Sequence, residues 1–235
     1  DTLFSITASD SPYDLPVYLR IAQATRHDSI LSIFALNEVR KLYPDITFRH
    51  FIADGAMDNY PTYQLLHQWN MIPYIPLDSR TRMDYKKPHP GISCFDDKGR
   101  PICLGGIPYE HIGYSYPKGI KYRCWFDCKG IDKPCKCSDS NYGRTIYIKP
   151  DYDFRLFPPV PRNSESFKKK FKTRTSVERS NKRILVDYNV EAGRCRSSKQ
   201  RFTRAVLAAV NIHLDAWIKH TKFSVIPLLY NSVAV

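Results

Sequence analysis

Strand and helix patterns alternate through the first third of the chain, and that alternation leaves few folds open to it. Leu3–Ala8 alternates roughly in and out, and Leu15–Gln23 reads as a second strand. Ser9, Asp10, Ser11, Pro12 and Asp14 supply turn chemistry between them, so the two predict a hairpin. Asp28 or Ser29 caps a helix that reaches about Tyr43, where Pro44 stops it. Phe48–Ala53 is a short apolar strand with Asp54 at its C-terminal end, and Gly55 loosens the backbone behind it. Asn59 then caps a helix with Pro61 in its first turn, and Met71–Ile75 forms another short strand. A hairpin followed by helix, strand, helix and strand predicts an α/β domain with a mixed sheet flanked by helices.

The pattern breaks between about Arg80 and Pro161, where prolines and glycines are frequent and six of the seven cysteines fall. This stretch reads as a β-rich or irregular insertion. Helical character returns at Ser164 in two pieces, and Ser198 caps a final helix with Phe202, Val206, Ala209, Val210 and Trp217 on its buried face. The expected organisation is residues 1–79 and 162–220 as the core, 80–161 as the insertion and 221–235 as a tail. The apolar stretch Ala205–Ile218 is interrupted by Asn211, His213 and Asp215. It falls short of the roughly 20 residues a membrane span needs, so a buried helix is expected and no membrane partner.

Hydrophobic residues make up 43% of the 235, enough to fold rather than stay disordered. The net charge is +13, and its location is more informative than its size. Between Glu165 and Arg204 stand thirteen Lys or Arg against four acids, a local excess of nine. Such an excess favours a polyanion, because each neutralised phosphate releases counterions. A solvated face of a basic protein, or an acidic membrane surface, is the plainer alternative. Seven cysteines without a secretory signal point to a reducing compartment, and the chain is expected to be cytoplasmic. It opens at Asp1 without a Met and is expected to be part of a longer protein.

Two carboxylates stand out. Attack on a phosphodiester in line with its leaving group uses two divalent ions roughly 4 Å apart, held by carboxylates from distant parts of a chain. Asp54 has a suitable position, at a strand end followed by glycine; Glu178 is an acid set among Lys and Arg. The plainer readings are a loop or cap aspartate and an ion-paired glutamate.

Two segments resemble the insertion-sequence DDE transposases. The first is Phe51-Ile-Ala-Asp-Gly-Ala-Met-Asp-Asn-Tyr, followed by a helix and the strand Met71-Ile-Pro-Tyr-Ile-Pro. The second is Arg174-Thr-Ser-Val-Glu-Arg-Ser-Asn-Lys-Arg. Arg26-His27-Asp28-Ser29 also looks like the motif that closes the family's third strand. The resemblance implies a ribonuclease H-like fold: a mixed five-stranded sheet with helices on both faces, its first strand missing here, and an insertion before the Glu178 helix. It implies Asp54 and Glu178 as catalytic ligands of Mg²⁺ or Mn²⁺, and Arg174, Arg179, Lys182 and Arg183 as DNA contacts. It also implies transposon-end and target DNA as partners, a homo-oligomer when intact, and nucleoid association in a bacterial cell.

The family's signature runs Tyr, two residues, Arg, three residues, Glu, six residues, Lys. Phe171 stands at the Tyr position and Leu185 at the Lys position, while Arg174 and Glu178 match. Arg174, Glu178 and Lys182 are four apart and share a helical face, which makes Lys182 or Arg183 the replacement contact. Neither Asp1 nor Asp10 takes the place of the family's first aspartate, so the chain by itself is expected to be inactive. A non-catalytic DNA-binding relic and a nuclease of the same fold are the alternatives.

Cys124-x3-Cys128-x6-Cys135-x-Cys137 gathers four thiols in fourteen residues and is a candidate structural Zn²⁺ site, with Cys94 and Cys103 as another pair. Reduced free thiols are the plainer reading. His27 lines the site or is a structural histidine.

Overall fold

A computed structural model of the chain describes residues 2–22, 28–78, 89–124, 142–192 and 194–221. The architecture is mixed α/β, and the chain divides into two compact units: Asp1–Tyr43 with Thr173–Val235, and Pro44–Lys172. The expected core, 1–79 with 162–220, is thus shared between them.

In the first unit β1 (Thr2–Ala8) and β2 (Leu15–Ala22) form the expected antiparallel hairpin, with Thr2 opposite Ala22 and an irregularity between Ile6 and Thr7. Asp14 turns the chain at φ 52°, in the left-handed region that aspartate tolerates better than most residues. Helix α1 (Asp28–Leu42) buries Leu31, Ala35, Leu36 and Val39, a helical period ended by Pro44 as expected.

After α4 (Thr175–Lys182) the backbone widens into a π-helical turn over Arg183–Asp187, with the Tyr188 amide reaching back to the Arg183 carbonyl at 2.9 Å. The last helix, α5, spans Ser198–Thr221. Ile184, Val190, Ala205, Ala208 and Ile212 form the core here, with Leu3, Leu15 and Leu19 of the hairpin packed on it. Burying a side chain such as Ile184 or Ile212 contributes about 1.5–3 kcal/mol.

Helix α5 departs from expectation twice. Its cap is Ser197, whose Oγ accepts from the Gln200 amide at 3.3 Å; Ser198 is already helical. Its buried face is Ala205, Ala208, Ala209, Ile212 and Ala216. Of the expected set only Ala209 is buried; Phe202, Val206, Val210 and Trp217 are 37–55% exposed. The helix carries two apolar stripes, and the one with small side chains lets β2 come close. The larger stripe lines an open groove with Val17 and Leu19 of β2 and Leu42 of α1.

In the second unit β3 (His50–Ile52) and β4 (Ile72–Tyr74) pair in parallel, joined through α2 (Tyr60–Gln68). Asn59 caps α2 as expected, its Oδ1 accepting from the Thr62 amide at 3.0 Å, and Pro61 lies in the first turn. The insertion supplies the ribbon β5 (Cys94–Phe95) with β6 (Pro101–Ile102), and a meander of β7 (Tyr109–Ser115), β8 (Gly119–Cys124) and β9 (Thr145–Ile148). Its core gathers Tyr109, Ile120, Tyr122, Ile146, Ile148 and Phe157. Helix α3 (Glu165–Phe171) follows, capped by Ser164.

The described strands make four separate sheets of two or three strands, where the sequence led us to expect one mixed sheet. The hairpin and the parallel pair both form, but no described strand joins them. Among the described residues no helix is long and apolar enough to cross a membrane.

One buried ion pair ties the loop after β3 to a segment nearly a hundred residues away. Arg155 grips Asp58 with two bonds, Nε to Oδ1 at 2.9 Å and Nη2 to Oδ2 at 2.7 Å, both side chains fully buried. Asp58 also accepts from the Tyr63 hydroxyl at 3.0 Å and the Asp78 amide at 2.7 Å. Arg162 completes the clamp, donating to the Ile75 carbonyl, the Arg155 carbonyl and the Tyr63 oxygen. A buried carboxylate stripped of its guanidinium keeps its desolvation cost and loses the attraction. Arg155→Ala is therefore expected to lower stability by about 3–5 kcal/mol, read from the urea midpoint. A change under about 1 kcal/mol would show that the clamp is dispensable.

Candidate functional site

Asp54 sits just past β3. The pairing ends above it with the Ala53 amide on the Tyr74 carbonyl at 3.3 Å. The strand leaves the sheet there, so the Asp54 side chain projects from its end and is exposed. It caps a short 3-10 turn, Gly55–Met57, by accepting from the Ala56 amide through Oδ1 at 3.1 Å. Its Oδ2 meets no hydrogen-bond donor among the described residues. A Cβ on Gly55 would find only ordinary contacts near 3.9 Å, so glycine is not needed there for lack of space.

The carboxylate next in line, Asp58, is the anchor described above. Tyr60 extends the anchor, its hydroxyl donating to Asp153 Oδ2 at 2.9 Å. Burial first, and then that carboxylate, push the Tyr60 phenol up to about 12. Burial likewise raises Tyr63. Both phenols stay protonated and keep donating throughout the neutral range. Asp58, Arg155 and Arg162 escaped the sequence reading; the one local signal for them was a second acid four residues after Asp54.

Glu178 lies on α4, exposed, with Oε1 2.7 Å from Arg174 Nη2. That contact places Arg174 and Glu178 on one helical face as their spacing predicts, and it is also the ion pair of the plainer reading. The signature containing them is not one continuous α-helix: Phe171 ends α3, stacked on Phe167, and residues Lys172–Arg174 form a 3-10 turn before α4. Asp54 belongs to the second unit and Glu178 to the first.

The four expected DNA contacts differ in what already holds them. Arg179 makes two bonds to Asp14 at the hairpin turn, at 2.6 and 2.7 Å, and two more to Thr175 and Ser176. Arg183 donates to Asp215 of α5 at 3.0 Å, an acid that also accepts from the Tyr188 hydroxyl. Arg174 holds Glu178. Lys182 is exposed and, of these four, is the one without an ion pair among the described residues.

Asp10 is exposed in the hairpin turn. Asp1 and His27 lie outside the described residues, as do Cys128, Cys135 and Cys137 of the candidate zinc quartet. Its fourth member, Cys124, is buried in the meander core with Cys103, while Cys94 is exposed. Among the described residues no three His, Cys, Asp or Glu side chains group as metal ligands.

Comparison with known proteins returns no matching family model, no matching curated protein and no matching solved structure.

The hydrogen bond from Arg179, then that of Ser176 and the Arg179 charge, hold the Asp14 carboxyl below its ordinary value against the opposing effect of burial. A folded pKa below the unfolded one stabilises the fold above the unfolded value, near 3.9, and the gain is lost as pH falls through the lowered one. Asp14→Asn is expected to flatten the acid limb of the stability curve below about pH 4. Parallel melts of the two proteins between pH 2 and pH 6, about the range over which a paired aspartate titrates, check it; identical limbs would discount the pair.

Proposed function

We propose that this chain is the greater part of the catalytic core of a DDE-type transposase, with Asp54 and Glu178 as two of its metal-holding carboxylates. The observation that carries the reading is Asp54: an exposed carboxylate at the end of a parallel strand pair, its Oδ2 without a donor among the described residues, on a loop tied down by the Asp58–Arg155 clamp. A metal ligand needs that combination of accessible oxygen and fixed backbone. The same D-G-A-M-D segment carries the resemblance in sequence.

Glu178 supports the reading through its setting. It pairs with Arg174 and lies one turn from Lys182, which has no ion pair among the described residues. Lys182 would hold a phosphate while Glu178 exchanges Arg174 for an ion. On this reading Asp54 and Glu178 would each offer Mg²⁺ or Mn²⁺ a hard carboxylate oxygen, with a third ligand still required. When bound, such an ion would supply positive charge to a phosphodiester oxygen. On this reading the ribonuclease H-like sheet is completed by a strand beyond those described. The substrates are transposon-end and target DNA, and the working form is a homo-oligomer.

A second reading, a DNA-binding relic without catalysis, is favoured by the Arg174–Glu178 pair, since this is how a glutamate on a basic helix is satisfied without metal.

The deciding assay is Mn²⁺-dependent joining of labelled duplex ends by the longest reading frame that contains this chain. Asp54→Asn and Glu178→Gln are each expected to abolish joining while duplex binding persists. Joining that survives both substitutions overturns the catalytic assignment; binding without joining in the parent protein supports the relic. In duplex titrations Lys182→Ala is expected to weaken binding across sequences and to lower the salt slope by about one. An unchanged slope removes Lys182 as a phosphate contact.

A further inference from the structure

The meander β7–β8–β9 has a second face that the reading above does not use. Ile120, Tyr122 and Cys124 of β8, with Ile146 and Ile148 of β9, are buried in the core. Strand alternation turns Lys121, Arg123, Thr145 and Tyr147 the other way, and all four are only partly buried. In the register Lys121 stands opposite Tyr147 and Arg123 opposite Thr145, and Glu110 of β7 faces Arg123 from the other side.

Cations and phenol rings interleave across this face. Lys118, in the β7–β8 turn, places Nζ 5.2 Å from the Tyr147 ring centroid. Lys121 Nζ is 5.9 Å from the centroids of both Tyr147 and Tyr142. The Arg123 guanidinium carbon lies 3.7 Å from the Tyr142 centroid, and its Nε donates to the Tyr142 carbonyl at 2.6 Å. Gly119 opens β8 at φ +106°, where a Cβ would stand 2.5 Å from the Ile148 carbonyl oxygen; glycine lets the β9 backbone pass this close.

Among the described residues, three cations against one carboxylate give the face a positive balance suited to phosphates. The two rings add what phosphates do not need, flat apolar surfaces beside the cations. Bases stack on such rings without regard to sequence, because every base has a π face. Exposed cation–ring contacts are weak, so the ammonium groups are readily exchanged for phosphate oxygens. We propose that this face binds an unpaired nucleic-acid strand, with Lys118, Lys121 and Arg123 on phosphates and Tyr142 and Tyr147 stacked on bases. A duplex keeps its base faces hidden, and an acidic peptide would use the cations and leave the rings idle. The proposal needs neither Asp54, Glu178 nor the basic helices, so it stands or falls apart from the catalytic reading.

The test follows the anisotropy of a short labelled oligo-dT titrated with the full chain over a range of KCl. Tyr147→Ala is expected to weaken binding about tenfold at an unchanged salt slope. Lys121→Ala is expected to lower the slope by about 0.7, one single-strand phosphate. Tyr147→Phe keeps the ring and should bind like the parent, which separates lost stacking from lost folding. The proposal is overturned if the parent does not bind oligo-dT, if Tyr147→Ala binds as the parent does, or if Tyr147→Phe binds as weakly as Tyr147→Ala. Displacement of oligo-dT by poly-glutamate as effective as by unlabelled oligo-dT also overturns it and marks a plain polyanion surface.

Discussion

The second unit depends on the buried pair of Asp58 and Arg155. Two charges with no solvent access would be costly apart; Arg155 finds its compensation in Asp58, and Asp58 in Arg155, the Tyr63 hydroxyl and the Asp78 amide. The pair joins the loop after β3 to the chain beyond the meander, and Arg162 carries the tie on to β4's exit at Ile75. Asp54 gains its fixed position from this, four residues away. A candidate ligand that is itself exposed is thus held by residues that are wholly buried. A candidate ligand and a structural anchor thus fall to two aspartates of one short segment.

Where structure follows from neighbours in the chain, the residues announced it. The β1–β2 hairpin, the Asn59 cap with Pro61 behind it, and the stop of α1 at Pro44 each rest on interactions within a few positions, and each formed as read. Long-range choices did not announce themselves. Helix α5 offered two apolar stripes, and which one is buried was decided by how near β2 comes, a fact absent from the helix's own sequence. Asp58 and Arg155 are 97 positions apart, and neither carries a local sign of the other. The described sheets likewise reflect long-range pairing, beyond the pattern within each strand.

Charge behaves in the same way. A local excess of nine cations suggested a polyanion site spread along the basic helices. The folded chain ties Arg179 to Asp14 and Arg183 to Asp215, acids from outside α4, and leaves Lys182 as the exposed member of the set without an ion pair among the described residues. Counting charges along a segment therefore overstates what it can offer a ligand. The face of the β7–β8–β9 meander is the converse, a modest number of cations made distinctive by the rings among them.

The π-helical turn at Arg183–Asp187 bears on how the glutamate signature should be counted. A spacing written along the chain carries an unstated angular assumption, that every residue advances by the step of an α-helix. In a wider turn each residue advances by less, so the position seven after Glu178 no longer comes back beneath it. Leu185, in the slot that the resemblance gives to lysine, lies within that wider turn, so its number along the chain does not by itself say which face it takes.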